Sequence, residues 1–200
     1  MRLASVLTAA LVTLATALPA AAEKLSLGQI SSYLNAMKTA QGSFTQINDD
    51  GTISTGTLSI SRPGKMRFDY NPPEKQLVMA GSGTVVVLDR KMGATPETYP
   101  LNQTPLSIIL APNVDLTRAG MVTGHSFDGT ATVVTAQDPS HPEYGNIQMK
   151  FTGNPVELRQ WIVNDSNGAT TTVVLGGLQK KSLGSSLFDI RSEIAKVKRN

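Results

Sequence analysis

The sequence predicts a mainly β protein, built as one long antiparallel sheet with a helical insertion in its middle and one amphipathic helix before it. Three observations support this prediction. From about residue 40, hydrophobic residues recur at every second position, as in half-buried strands. Glycine-containing turn signals separate these runs at short intervals. A proline-rich stretch at 95–116 interrupts the pattern once.

The first 22 residues are predicted to be a secretory signal peptide. One early cation, Arg2, precedes an uncharged stretch of Leu, Ala and Val that ends in small residues. Cleavage after Ala22 leaves residues 23–200, enough chain for a single domain. No second hydrophobic run approaches the length needed to span a bilayer. We therefore expect an exported, soluble, single-domain protein.

The composition argues against several classes of protein. The chain has no cysteine, so we expect neither disulfides nor a lipid attached to an N-terminal cysteine. The formal net charge is +3 at pH 7, and the one run of like charge, at 196–199, is typical of a solvated chain end. Nothing in this charge pattern indicates nucleic acid binding.

Residues 27–38 are predicted to form the amphipathic helix. Ser26 and Gln29 have the spacing of a capping box, and Ile30, Leu34 and Met37 then recur at helical intervals. One face of this helix should therefore pack on the rest of the protein.

The period-two segments predict an antiparallel meander. The stretch GTLSISRPGKMRFDY at 56–70 indicates two strands joined by a Pro-Gly turn, and Asn167-Gly168 is the clearest hairpin turn. The other strands are expected at 42–46, 77–80, 85–88, 121–127, 130–137, 146–151, 156–164 and 169–175.

One short helix fits within the proline-rich stretch. Thr104 is a favourable N-cap and Pro105 a favourable first helical residue. Three apolar residues would share one face of this helix: Leu106, Ile109 and Leu110. If the sheet curls around itself, its inner face can leave a ligand cavity, and this helix would be the lid.

The strand pair at 56–70 contains one unexpected side chain. Arg62 is in phase with Leu58 and Ile60, so it shares their apolar face. The same face continues in the second strand with Met66, Phe68 and Tyr70. A cation on this face requires a partner or a route to water.

Few residues indicate enzymatic or metal chemistry. His125 and His141 have no Cys, His or carboxylate at ligand spacing, so we expect no metal and no cofactor. The loop at 81–84 lacks the Lys-Ser/Thr ending of a phosphate loop. We therefore expect that the protein is not an enzyme. A hydrolase of acyl chains stays open as an alternative, since a triad assembled from distant residues leaves no local motif.

Four motifs in order resemble the outer-membrane lipoprotein carrier proteins (LolA) of the Gram-negative periplasm. The match has specificity from about residue 27 to 110, and beyond it only the strand pattern agrees. The motifs are the helix followed by Gly42-Ser43-Phe44-Thr45-Gln46, the Gly-x-Leu…Arg-Pro-Gly-Lys-x-Arg-x-x-Tyr pair at 56–70, Pro73 followed by Gln76-Leu77-Val78, and Thr104-Pro105-Leu106.

The resemblance implies an incomplete antiparallel β-barrel with a helical lid. Its cavity would shelter the acyl chains of lipoproteins that an inner-membrane ABC transporter releases, for delivery to the outer membrane with or without a separate receptor there. We expect a monomeric periplasmic chaperone. By motif position, Arg62 would hold the lid closed from inside. The expected cavity lining is Phe44, Leu58, Ile60, Met66, Phe68 and Tyr70.

Two further expectations qualify this resemblance. Only 5% of the residues are aromatic, so the cavity wall should be mainly aliphatic. A periplasmic sensor or regulatory module of the same fold, which binds lipoprotein or a membrane-protein segment, is the alternative function, although such proteins usually add a second domain. The outer-membrane receptor of this fold is itself lipidated, and the absence of cysteine argues against it.

Overall fold

The computed structural model describes residues 23–90 and 95–198. The predicted signal peptide, residues 1–22, lies outside the described residues. None of the helices in the described ranges has the length and apolar character that crossing a membrane requires.

Twelve antiparallel strands form one sheet within the described residues. They are β1 (Thr39–Ile47), β2 (Ile53–Ser61), β3 (Lys65–Tyr70), β4 (Gln76–Gly81), β5 (Thr84–Asp89), β6 (Glu97–Pro100), β7 (Val122–Phe127), β8 (Thr132–Gln137), β9 (Asn146–Thr152), β10 (Glu157–Asn164), β11 (Thr170–Leu175) and β12 (Gln179–Lys180). The spatial order is β6-β5-β4-β3-β2-β1-β11-β10-β9-β8-β7, and β12 also pairs with β1.

The sheet consists of two meanders joined by the pairing of β1 with β11. Strands β6 and β7 end this order, and in the described residues they do not pair with each other. The prediction of an incomplete antiparallel barrel is therefore confirmed. The hairpin between β10 and β11 turns at the predicted Asn167-Gly168, where Gly168 has a φ of +83° that a side chain would disfavour.

In the part of the chain that the structure describes, three α-helices accompany the sheet: α1 (Leu27–Ala36), α2 (Leu106–Leu110) and α3 (Ile190–Val197). The capping box of α1 is present, because the backbone N–H of Gln29 donates to Ser26 Oγ at 3.2 Å and that of Ser26 donates to Gln29 Oε1 at 2.8 Å. Helix α1 ends slightly before the predicted boundary because β1 begins at Thr39. Ile30 and Leu34 are buried on its inner face.

Helix α2 lies where it was predicted, but the Thr104 side chain does not cap it. A 3₁₀ turn at Leu101–Gln103 precedes it, and the Thr104 hydroxyl donates to the Leu101 carbonyl at 2.8 Å. Thr104 has extended dihedrals (φ −126°, ψ 146°) and Pro105 has helical ones (φ −60°, ψ −19°), so the backbone enters the helical conformation at Pro105 as predicted. The Thr104 side chain does not cap the helix, because its hydroxyl points back to the 3₁₀ turn. The short edge strand β6 was also not predicted in this stretch.

The chain end that was expected to be solvated forms helix α3, in which Lys196 and Lys198 are exposed and Val197 is buried. Asp189 caps the helix by accepting from the backbone N–H of Ser192 at 3.1 Å. Val197 is only 5% exposed, because it packs with Ile190 on three residues of the outer sheet face: Leu77, Met79 and Leu88. The core therefore has a large inner part and a small outer part beneath α3.

Candidate ligand cavity and lid

The six residues predicted to line a cavity all lie on the buried inner face of the sheet: Phe44, Leu58, Ile60, Met66, Phe68 and Tyr70. The Phe44 ring lies edge-on to Phe68 and to Tyr70, with centroids 5.1 Å apart in each case. Gly56 makes this arrangement possible, since a Cβ at that position would lie 2.6 Å from Phe44 Cε1 and 2.1 Å from the Asp69 carbonyl oxygen.

A cavity of about 590 Å³ lies between the N-terminal end of α2, the edge strand β6 and the β10–β11 hairpin. Phe68, Tyr70 and the lid residue Leu106 line it. The other four predicted lining residues belong instead to the closed core, where Ile109 and Leu110 of α2 are also buried. The structure therefore has an open cavity at one end of the lid and packed side chains beneath the other end.

Aromatic side chains form much of the cavity wall. The chain has five Phe, four Tyr and one Trp, and half of these ten line the cavity: Phe68, Tyr70, Tyr99, Tyr144 and Trp161. Aliphatic side chains line the cavity beside them, namely those of Val78, Leu106, Val163 and Val173, so the wall is aromatic as well as aliphatic. Trp161 was not predicted as a site residue, although its alternation with Val163 in β10 indicated the inner face.

The floor of the cavity is uncharged. The Tyr70 hydroxyl donates to Gln46 Oε1 at 2.6 Å, and burial raises the pKa of Tyr70 to about 12, so the phenol is neutral at physiological pH. The charged side chains that line the cavity are the carboxylates of Glu143 and Asp165, which lie towards its rim. Apolar ligand groups are thus favoured at the floor.

Arg62 lies at the other end of the lid, with its side chain almost fully buried. Its guanidinium donates to the Leu34 carbonyl, to the Ala111 carbonyl at 2.7 Å and to Asn35 Oδ1 at 3.3 Å. Leu34 is in the last turn of α1 and Ala111 is the C-cap of α2. Carbonyls at helix C-termini lack intrahelical partners and carry partial negative charge, so a cation is stabilised there.

The environment of Arg62 is neutral in the described structure. Burial lowers its pKa, and its Nε–H has no hydrogen-bond partner there. A buried cation held by carbonyl dipoles without a carboxylate is less firmly compensated than an ion pair.

Two polar residues of α1 hold the segment after the lid. The Asn35 amide exchanges two hydrogen bonds with the backbone of Val114, each 2.8 Å long. Ser31 Oγ accepts from the backbone N–H of Leu116 at 3.0 Å. We call Arg62, Asn35 and Ser31 the latch. Asn35 and Ser31 were not predicted as site residues. Each directly follows a buried apolar residue of α1, Leu34 or Ile30, and therefore lies next to the packed face of the helix.

Both histidines make structural contacts. His125 Nε2 lies 2.9 Å from the Leu25 carbonyl oxygen, which positions the segment before α1. His141 Nδ1 lies 2.9 Å from Glu143 Oε1, and its ring stacks on Tyr144. Within 23–90 and 95–198, no group of three His, Asp or Glu side chains could hold a metal ion.

Comparison with known proteins gives a consistent assignment. The model of the family described as outer membrane lipoprotein carrier protein LolA matches residues 35–191. An outer-membrane lipoprotein carrier protein of Cupriavidus taiwanensis is 28% identical over 176 residues, which cover 82% of each chain. A protein of the same description from Azotobacter vinelandii is 24% identical over 185 residues, covering 86% of this chain and 87% of its own.

Two solved structures are similar to this chain. One is a putative outer membrane lipoprotein-sorting protein domain from Vibrio parahaemolyticus, with a TM-score of 0.48 and 9% identity over 85% of this chain and 97% of that one. The other is a LolA superfamily protein from Nitrosomonas europaea, with a TM-score of 0.43 and 10% identity over 84% of this chain and 99% of that one.

Proposed function

The chain belongs to the LolA family of outer membrane lipoprotein carrier proteins, and on this premise we propose that it carries lipoproteins across the periplasm. The resemblance predicted from four motifs is confirmed, and the family is one of carriers and not of enzymes. In this proposal the protein takes acylated lipoproteins from an inner-membrane ABC transporter, shelters their acyl chains and delivers them to the outer membrane.

The observation that supports this proposal is the combination of an apolar cavity with a short helix whose C-terminal end is held by a buried arginine that binds backbone carbonyls. The floor of Phe68, Trp161 and Val173 can bury acyl methylenes, each worth about 0.8 kcal/mol. Three chains with roughly forty-five methylenes would gain on the order of 35 kcal/mol if fully buried. The binding free energies of non-covalent complexes do not go beyond about −20 kcal/mol. A carrier that releases its cargo must therefore shelter the chains only in part.

The latch supplies the opposing free energy. A hydrogen bond from a charged group contributes about 1.5–3 kcal/mol, and Arg62 makes such bonds to Leu34 and Ala111 in the closed state. Loading would exchange these bonds for acyl contacts, and unloading would restore them. Breaking these two bonds would cost roughly 3–6 kcal/mol, which lowers the net affinity for cargo and favours its release.

The proposal is tested by loading from membranes. The mature protein is incubated with proteoliposomes that contain a lipoprotein and the releasing transporter, and soluble lipoprotein is measured. Phe68→Glu and Leu106→Glu place a charge in the cavity, which is desolvated without a partner when a chain binds. We expect both variants to lose at least about 90% of loading, since a cost of roughly 1.4 kcal/mol already corresponds to tenfold.

Val174→Glu is the matched control, because Val174 is on the outer face of β11 and 39% exposed. Leu106 is only half-buried, so its variant should fold even if Phe68→Glu does not. Normal loading by a folded Leu106→Glu protein would contradict the proposed use of the cavity. Loss of loading in Val174→Glu as well would mean that the assay reports general surface charge.

A further inference from the structure

We infer that the open cavity binds an amphiphile with a single acyl chain. This chain enters while the hydrogen bonds of the latch stay intact, and amphiphiles with a cationic head group bind more tightly than those with an anionic one. This inference deepens the proposed function, since it describes how the first chain of a lipoprotein would bind in the same cavity. It does not depend on delivery to any partner.

The volume of the cavity matches one chain. A methylene occupies roughly the 30 Å³ that a water molecule takes up in the liquid. The cavity of about 590 Å³ therefore holds about twenty such groups, one chain of ordinary length. A cargo with three chains needs more than twice this space, so its other chains require the packed side chains beneath α2 to separate.

Because of where the cavity lies, an acyl chain can enter it while the latch stays closed. None of the latch residues lines the cavity, and neither do Ile109 and Leu110 of the lid. The rim reaches solvent, because Tyr99 of β6 is 47% exposed and Glu143 and Asn167 are also exposed. The floor is buried, with Trp161 only 1% exposed. A chain can thus pass from solvent to the floor at the N-terminal end of α2.

The charges at the rim favour a cationic head group. Glu143 and Asp165 line the cavity, and no Lys or Arg of the described residues does so. A third carboxylate is close, since the Tyr99 hydroxyl donates to Glu97 Oε2 at 2.7 Å. Hydrogen bonding to Glu97 and the nearby charge of Asp165 raise the pKa of Tyr99. The rings of Tyr99 and Tyr144 add faces on which a quaternary ammonium group is stabilised.

The size of this preference is limited by solvent. Exposed charge pairs contribute up to about 1 kcal/mol each, and His141 already contacts Glu143. We therefore expect about a five-fold preference for a cationic over an anionic head at low salt. The preference should decrease as the salt concentration rises, since the rim is solvated.

Trp161, the one tryptophan of the chain, makes binding measurable. The probes are amphiphiles with a sixteen-carbon chain that is brominated near its methyl end, with either a trimethylammonium or a carboxylate head, used below their micelle concentrations. We expect saturable quenching of tryptophan fluorescence at one probe per protein, with the trimethylammonium probe bound about five times more tightly. Asp165→Asn combined with Glu143→Gln should bring the two affinities to within about two-fold.

Matched variants test the site and the route. Val173→Phe fills the cavity floor and should abolish quenching, while Val174→Phe on the outer face should not. Val163→Phe, at a half-buried position that also lines the cavity, replaces the first variant if that one does not fold. Arg62→Leu and Asn35→Ala open the latch and should leave the affinity for the single-chain probe within about two-fold of the wild type.

The outcomes separate this inference from the proposed function. Binding of two or more probes, a tenfold gain in affinity in Arg62→Leu, or preference for the carboxylate would each overturn the inference. If lipoprotein loads normally but neither probe binds, the inference fails alone. If the probe binds as expected but lipoprotein does not load, the proposed function fails and the single-chain site stands.

Discussion

Arg62 illustrates how one side chain can connect distant elements. It follows the last residue of β2, in phase with Leu58 and Ile60, and reaches the C-terminal ends of α1 and α2. Its partners are carbonyl oxygens that the helices themselves leave unpaired. A leucine in its place would retain the apolar face but could not bind either helix end.

Substitution of Arg62 by Leu tests the latch directly. The barrel should fold, and the variant should accept lipoprotein from proteoliposomes. Transfer to outer membranes should slow at least about ten-fold, because the closed state loses charge-assisted hydrogen bonds worth about 1.5–3 kcal/mol each. Lipoprotein remaining on the protein after incubation with outer membranes is the measurement.

Arg159→Leu is the matched control, since Arg159 is an exposed arginine on β10 that pairs with Glu157. Poor loading with normal release in Arg62→Leu would assign Arg62 to recruitment of cargo. Wild-type behaviour in both steps would leave Arg62 as an arginine at a strand end with only a structural role.

At the scale of elements, the two ends of α2 have different surroundings. Its C-terminal end is bound by Arg62 and by the backbone N–H of Gly64, which donates to the Leu110 carbonyl at 2.9 Å. Its N-terminal end borders the cavity through Thr104, Pro105 and Leu106. We therefore expect multi-chain cargo to displace the whole helix, since Arg62 must release its C-terminal end and Leu106 must move away from the cavity rim.

A cleavable cross-link tests this movement. Leu106→Cys and Asn167→Cys place two thiols on the lid and on the β10–β11 loop, in a chain without other cysteines. Joining them with a reducible bifunctional reagent should lower lipoprotein loading at least ten-fold, about 1.4 kcal/mol, because the lid cannot open. Reduction should restore loading.

The control pair is Thr45→Cys with Val174→Cys, neighbours across β1 and β11 on the outer face. Cross-linking this pair should leave loading unchanged. If the protein with Leu106→Cys and Asn167→Cys takes up lipoprotein equally well when cross-linked and when reduced, the segment at Pro105 is not a gate.

Helix α3 is fastened to the outer face by charges as well as by apolar contacts. Arg67 of β3 is buried, pairs with Asp69, and lies 3.3 Å from Glu193 Oε1 of α3. It also donates to the Leu187 carbonyl at 3.0 Å. Arg67 alternates with Met66 and Phe68, so it lies on the outer face, but its partner on α3 lies more than a hundred residues later in the chain.

The pH dependence of stability tests this network. Burial alone would raise the pKa of Asp69 and Glu193, but neighbouring cations outweigh burial and lower both pKa values below their ordinary 3.8 and 4.5. Both carboxylates therefore favour folding above about pH 4.5 and lose this contribution as the pH falls through their folded-state pKa values.

We expect Glu193→Gln to lower the free energy of unfolding at pH 7 by about 1 kcal/mol. Its stability should also fall less steeply than that of the wild type from about pH 5 to about pH 3. Thermal unfolding at a series of pH values is the measurement. Glu157→Gln, in an exposed pair with Arg159, should follow the wild-type curve. Parallel curves for Glu193→Gln and the wild type would exclude a role of Glu193 in this dependence.

At the scale of the whole molecule, the two meanders of the unclosed sheet contribute different parts of the candidate site. The meander of β1 to β6 carries Arg62, which follows β2, and one wall of the cavity. The meander of β7 to β11 carries Trp161 and the opposite rim. Because β6 and β7 are not paired in the described structure, the two meanders can separate further without breaking ladder hydrogen bonds between those edges. An open barrel thus suits a cavity of variable volume.

Recovery of native cargo tests the function at this scale. The protein is purified from the periplasm under mild conditions, and its bound material is identified by mass spectrometry. We expect acylated lipoproteins, at a higher occupancy in Arg62→Leu than in the wild type because release is slowed. A protein that carries nothing in either form would contradict the carrier proposal, and a bound membrane-protein segment would favour a sensor module instead.

The sequence by itself determined the features that depend on neighbouring residues. The capping box at Ser26, the alternation through 56–70 and the turn at Asn167-Gly168 are local rules of backbone geometry and side-chain spacing, so they could be predicted. The phase of Arg62 with Leu58 and Ile60 follows from the same alternation. Thr104 failed as a cap because a second local hydrogen bond competed for its hydroxyl.

Only the tertiary structure decided where the cavity lies and what closes it. Trp161 lines the cavity, Asn35 binds Val114 and Glu193 reaches Arg67 through contacts between residues far apart in the chain. No periodicity encodes such a contact, since it depends on how the sheet curls and on which side chains leave space unfilled. A cavity is the volume that distant elements fail to fill, and that volume exists only once those elements have packed.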